Sequence, residues 1–232
     1  MNTNLKTANR ARVLYLALTI FTGFAFFYRE NLIVAGDASA TVENILAAGW
    51  MFRFNLIADF IGQICYILLA LTFYQLFKSV NKTQASLLVV FVLVGIPIMM
   101  LNLLNHSAIL LLMSDAEYLK VFVATQIQAA ILFLLNLLSE GTIVVQIFWG
   151  LWLFPLGVLV YQSNLFPKIL GIALIVGCFG YLIATLTHIL FPAYLPMIEP
   201  ITLVAMFGEI AFLLWFIIRG VDKSKLPLDI NQ

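Results

Sequence analysis

The chain has 232 residues, of which 63% are hydrophobic, 14% aromatic and only 10% charged, with a mean hydropathy of +1.07. Soluble domains carry about 25% charged and about 45–50% apolar residues, so this composition excludes an aqueous globular fold and makes a lipid bilayer the solvent. The net charge of +1 implies neither nucleic acid nor a strongly anionic surface as a partner; membrane lipids are the partners the composition implies.

The first apolar run, Val13 to Tyr28, follows Lys6, Arg10 and Arg12, a charge order shared by signal peptides and first spans. The Ala-Ser-Ala at 38–40 lies about twelve residues beyond the run, too far for an ordinary cleavage region, so 13–28 reads as span one. Residues 29–52 form the longest outer connection, with Glu30, Asn31, Asp37, Glu43 and Asn44 and a turn at Gly36. Within it Val42, Ile45, Leu46 and Trp50 have helical spacing, which predicts a short interfacial helix at about 41–50 with Trp50 at headgroup level.

Each crossing needs about 20 apolar residues at 1.5 Å rise, and 54–77 and 86–108 meet that requirement. The stretch from 121 to 161 is helix-compatible throughout and about 60 Å long if straight, twice the hydrocarbon thickness. Spans at 168–190 and 200–219 complete the chain. Pro97 and Pro155 fall inside spans and predict kinks. Gly171, Ala173, Gly177 and Gly180 give the 168–190 helix small positions suited to close packing. Cys65 and Cys178 sit in apolar runs without metal or redox spacing and read as free core thiols.

Charge placement decides how often 121–161 crosses. With one crossing, the cytoplasmic side holds Lys6, Arg10, Arg12, Lys78, Lys82, Lys168, Arg219, Lys223 and Lys225, against Arg29, Arg53 and Lys120 outside, as the positive-inside rule asks. Ser139-Glu140-Gly141 is also a poor reversal loop. The expected fold is all-α: a single transmembrane domain over 1–232 with six spans (13–28, 54–77, 86–108, 142–161, 168–190, 200–219), both termini cytoplasmic, and an outer-face helical extension at about 121–139. No inverted repeat is visible, which weighs against a secondary transporter.

Ionisable groups inside a bilayer are costly, which singles out Asp59 in span two and Glu209 near the middle of span six. Polar neighbours form stripes at helical spacing: Asn55, Asp59 and Gln63; Asn102, Asn105 and His106; Asn136, Ser139 and Glu140; Tyr181, Thr185 and His188, with Thr202 on the Glu209 side. Counted from the cytoplasmic ends, these gather in the outer half, which predicts an outward-opening polar cavity with Arg53 at its rim and Glu209 at its floor. Arg53, Asn55, Asp59, Asn102, His106, Glu140, Tyr181, His188 and Glu209 are its candidate lining.

Ordinary interhelical hydrogen bonding, about 0.6 kcal/mol per bond, accounts for many such residues without any ligand, as an Arg53–Asp59 pair would for Asp59. Three functions compete with it. One is binding of a small amphiphilic or lipid-like ligand, its tail on the apolar walls and its head on the stripes. Another is a metal-dependent intramembrane hydrolase, with His106, His188, Asp59 and Glu140 as ligands and Glu209 as acid/base. The last is a proton-coupled carrier titrating at Asp59 and Glu209. Two histidines on separate helices lack HExxH spacing; bis-histidine haem ligation stays geometrically open, and no cofactor is expected.

Four stretches resemble the bacterial membrane family catalogued as domain of unknown function 4386: Asn31 to Ala47 (NLIVAGDASATVENILA), Phe52 to Phe60 (FRFNLIADF), Gly150 to Leu182 (GLWLFPLGVLVYQSNLFPKILGIALIVGCFGYL) and Gly208 to Val221 (GEIAFLLWFIIRGV). The resemblance runs from about Ala11 to Val221. It implies a multi-span protein of the bacterial cytoplasmic (inner) membrane and supplies no catalytic residue. Arg53, Asp59, His188 and Glu209 lie in or near the family-like stretches and His106 and Glu140 outside them, which favours a cavity built on Asp59 and Glu209 over a four-ligand metal site.

Overall fold

A computed structural model describes residues 3–114 and 116–225; among these the chain is helical, with no strand. In a bilayer a helix satisfies its own backbone, and apolar side chains then meet lipid at no cost. Among the described residues nine α-helices follow in order: α1 Thr3–Glu30, α2 Ala38–Ala48, α3 Trp50–Phe77, α4 Lys82–Asn102, α5 Leu104–Leu112, α6 Ala124–Leu151, α7 Leu153–Ser163, α8 Lys168–Leu190 and α9 Leu195–Ile218. Among the described residues five helical stretches are long and apolar enough to cross a membrane: Asn4–Glu30, Trp50–Phe77, Lys82–Leu112, Ala124–Ser163 and Lys168–Leu190. The described apolar part of α9, Phe207–Ile218, is shorter.

The 168–190 span is found at its expected limits, whereas α1 begins ten residues before the expected 13–28. The short helix expected at 41–50 is α2, and it ends earlier. Asp37 caps it, accepting from the Ala40 amide at 2.9 Å, and Gly49 closes it with a positive φ of 53°. Trp50 therefore starts α3. The two prolines act differently. Helix α4 runs through Pro97, and its interruption falls at Leu103. There Asn105 Nδ2 donates to the Asn102 backbone carbonyl at 3.0 Å, in competition with the helical ladder. Pro155 does mark a break: its ring crowds the carbonyl four residues back, at Leu151, where α6 ends before α7 resumes. From Ala124 onward the expected extension is helical and continuous with the following span.

The chain forms two compact units. One comprises Met1–Ala17, Cys65–Ile96 and Val144–Gln232. In it α8 packs on both α7 and α9, each time through small residues. A Cβ at Gly157 would lie 2.6 Å from the Gly171 carbonyl oxygen, and Gly208 meets the Ala173 backbone as closely. Gly171 and Ala173 thus face different neighbours. Aromatic rings fill the remaining core: Tyr15 lies edge-on to Phe73 and Trp152, and Phe166, Phe212 and Phe216 pack against one another.

The other unit comprises Leu18–Ile64 and Pro97–Ile143. Its apolar cluster joins Val42 and Ile45 of α2, Phe52 of α3, Ile109 of α5, and Ile131 and Leu135 of α6. Leu46, expected on the same face of α2, points outward with Trp50.

The α7–α8 contact makes a prediction. Gly157→Leu drives a side chain into backbone and should cost at least about 2 kcal/mol, seen as a lowered midpoint of thermal unfolding in mild detergent. Gly23→Ala, where an added Cβ meets nothing within 4 Å, should leave the midpoint unchanged or slightly raised.

Candidate functional site

The predicted α3 stripe is buried: Asn55, Asp59 and Gln63 all face inward. Their partner comes from the end of α1. Arg29 Nη1 lies 2.9 Å from Asp59 Oδ2 and 3.4 Å from Asn55 Oδ1, with Arg29 only 7% and Asp59 4% exposed. Asn55 Nδ2 donates to the Ala25 carbonyl at 2.9 Å, fastening α3 to α1 beside the ion pair. Arg53, expected at the rim with Asp59, is exposed, and the guanidinium that meets the carboxylate belongs to Arg29. The reason is helical phase. Arg53 is six residues before Asp59, on the far side of α3, while Arg29 follows Ala25 by one turn on the buried stripe of α1.

His106 is fully buried and stacked on Phe52, with ring centroids 4.2 Å apart. Its Nε2 is 3.0 Å from the Phe52 carbonyl oxygen. A carbonyl only accepts, so Nε2 carries the hydrogen and, in a neutral ring, Nδ1 is the acceptor. That Nδ1 is buried without a hydrogen-bond partner, as is Gln63 Oε1. Asn102 Nδ2 donates to the Leu138 carbonyl at 2.8 Å and to Thr142 Oγ1 at 3.3 Å. Gly141 gives it room, since a Cβ there would collide with the Asn102 amide. The fourth-helix stripe does not join these residues. Asn136, Ser139 and Glu140 lie on the exposed face of α6, whose buried face carries Ile131, Leu135 and Leu138.

Glu209, in the other unit, has its own partners. The hydroxyl of Tyr15 is 3.4 Å from one carboxyl oxygen and that of Tyr181 3.3 Å from the other. Trp152 sits edge-on to both Tyr15 and Tyr66, walling the carboxyl with aromatic rings. Gly150 lets Tyr181 approach, since a Cβ there would be 2.7 Å from the Tyr181 Cβ. Among the described residues Glu209 forms no ion pair. His188 is half-buried near the end of α8. The set His106, His188, Asp59 and Glu140 is not gathered: among the described residues no three His, Cys, Asp or Glu side chains are placed to hold a metal ion. His106 and Asp59 are instead engaged by a carbonyl and a guanidinium.

The geometry therefore holds two acids in opposite states of compensation, one neutralised by a buried cation and the other met, among the described residues, by neutral hydroxyls. Arg29, Tyr15 and Tyr66 are the participants that sequence reasoning missed. A signal existed, because Ala8, Ala11, Tyr15, Ala25 and Arg29 recur at helical spacing on α1 and all are buried.

Residues 11–220 match the family model described as Domain of unknown function (DUF4386). The chain belongs to the DUF4386 family. The membership spans both acids and their partners. This DUF4386 chain is also similar to an uncharacterized protein of Archaeoglobus fulgidus, 40% identical over 80 residues, which is 34% of this chain and 46% of that protein. The chain thus spans about half the length of the curated relative it matches. No solved structure matches.

Removing half of a buried ion pair strands the other charge, so Asp59→Asn should cost about 3–5 kcal/mol, measured by denaturant unfolding in detergent. The double replacement Arg29→Met with Asp59→Leu should regain most of that loss. A single substitution that left stability unchanged would show that the pair is not buried.

Proposed function

We propose that this DUF4386 protein is a proton-linked binding or carrier protein for a small amphiphile with a cationic head, and that Glu209 is the group that trades a proton for the ligand. The observation that carries it is the incomplete satisfaction of the Glu209 carboxyl. A carboxylate offers about four acceptor sites. Here two tyrosine hydroxyls reach it at 3.3 and 3.4 Å, beyond the usual 2.5–3.0 Å for such bonds, and no cation accompanies them among the described residues. In a low-dielectric setting an acid so placed calls for either a proton or a positively charged partner. The clustered aromatic rings of Tyr15, Tyr66 and Trp152 make these surroundings suited to a lipophilic cation.

Asp59 contributes differently in this reading. Its charge is balanced by Arg29, so it holds α1 on α3 and does not exchange protons. In this reading the site is centred on Glu209. Six crossings, with α9 as the last and both termini cytoplasmic in the inner membrane, fit the excess of Lys and Arg in the connections assigned to one side. The hydrolase reading lacks a gathered ligand set.

The test uses tetraphenylphosphonium as a lipophilic-cation probe with the full chain in detergent. Binding should quench tryptophan fluorescence and release one proton, read with a pH dye. Because the probe displaces a proton, affinity should rise about tenfold per pH unit over the range where the empty site is protonated. Glu209→Gln should abolish the proton release and the pH slope, while Arg53→Gln should change neither. Equal binding and an equal slope in Glu209→Gln would refute the proposal.

A further inference from the structure

A second feature lies where α9 ends. Gly220 closes the helix with a positive φ of 71°, its amide bonding to the Phe216 carbonyl at 3.1 Å. The tail then turns back, and the Asp222 amide donates to the Leu165 carbonyl at 3.0 Å, joining it to the loop between α7 and α8. That loop makes its own turn at Asn164, with a positive φ of 54°. Between the two turns is a cavity of about 360 Å³, with Asn164, Trp215, Arg219 and Asp222 among its lining. Arg12 reaches it from α1, its Nη1 being 3.8 Å from where a Gly220 Cβ would stand.

The charge of this cavity is lopsided. Arg219 lines it, Arg12 adjoins it, Lys168 follows the lining residue Pro167, and Lys223 and Lys225 continue the tail. Neither the Arg12 nor the Arg219 guanidinium has a hydrogen-bond or ion-pair partner among the described residues. The acid present, Asp222, has Oδ1 occupied by the Ser224 hydroxyl at 2.7 Å and amide at 3.0 Å. Those bonds hold its carboxyl below the ordinary carboxylate range, so it subtracts one charge at neutral pH and leaves the cavity basic.

Position selects the anion. Lys168 begins α8, one of the five stretches apolar enough to cross a membrane, which puts this end of the helix at a bilayer boundary. Ile169 and Ile218, flanking the cavity on α8 and α9, are 67% and 69% exposed, and Trp215 is 38% exposed. Exposed aliphatic surface beside an exposed tryptophan and free guanidinium groups is the arrangement expected at headgroup depth. We infer that this cavity binds the phosphodiester of an anionic phospholipid, with Arg219 and Arg12 as the two cationic contacts and the acyl chains lying along the Ile169 and Ile218 surfaces. A guanidinium presents paired N–H donors that match two phosphate oxygens, and the volume accepts a headgroup. The site is separate from the Glu209 site in both place and ligand charge.

Native mass spectrometry of the full chain, titrated with phosphatidylglycerol, phosphatidylcholine or inorganic phosphate, tests it. One phosphatidylglycerol should be retained preferentially over phosphatidylcholine, and Arg12→Gln with Arg219→Gln should weaken it roughly 30-fold at about 1 kcal/mol per cation. Lys6→Gln should have no effect. In intact protein, brominated phosphatidylglycerol should quench a fluorescence component that Trp215→Phe removes, a readout that does not require the arginine variants to fold. Equal retention of the two lipids, unchanged retention in the double variant, or displacement of phosphatidylglycerol by equimolar inorganic phosphate would overturn the inference.

Discussion

Hydrocarbon offers no hydrogen bonds, so every polar group carried into it must bring its own partner or become the place where a partner is found. Most of this chain obeys the first half of that rule. Backbone is paired within helices. Asn55 takes the Ala25 carbonyl, Asn102 takes that of Leu138, and Arg29 takes Asp59. These bonds are short and buried, and they fasten helices to one another.

Glu209 obeys the second half. Its two tyrosine contacts are long and uncharged, and the contrast with the 2.9 Å ion pair at Asp59 separates a group that organises the fold from one suited to exchange. The cavity beyond Trp215 is a third case, in which the Arg12 and Arg219 guanidinium groups form no ion pair among the described residues. The structural pairs and the two proposed sites thus differ in how completely each polar group is matched.

Helical class and segment placement were legible in the sequence because they rest on hydropathy and length, which act locally. The 168–190 span and the α3 stripe of Asn55, Asp59 and Gln63 depend only on periodicity, and both are found. Partner identity was less legible. Arg53 is nearer than Arg29 to Asp59 in the chain, but pairing is decided by helical phase and by which helix lies alongside. The same holds for Asn136, Ser139 and Glu140, whose common face was visible while its outward direction depended on Ile131, Leu135 and Leu138 claiming the interior. Tyr15 escaped notice because an aromatic in an apolar run looks like packing until an acid from 194 residues away is placed against it.

The Arg29–Asp59 pair has a bearing on biogenesis. Helix α1 is synthesised before α3, so its Arg29 lacks the Asp59 counter-ion until α3 follows. A lone arginine costs a few kcal/mol at the centre of a span and less near its edge, so α1 can wait with Arg29 drawn toward the headgroups. Arrival of Asp59 then lets the guanidinium move inward, and the Asn55 bond to Ala25 secures the partnership. The ion pair and the Asn55 bond in this way couple the integration of α1 to that of α3.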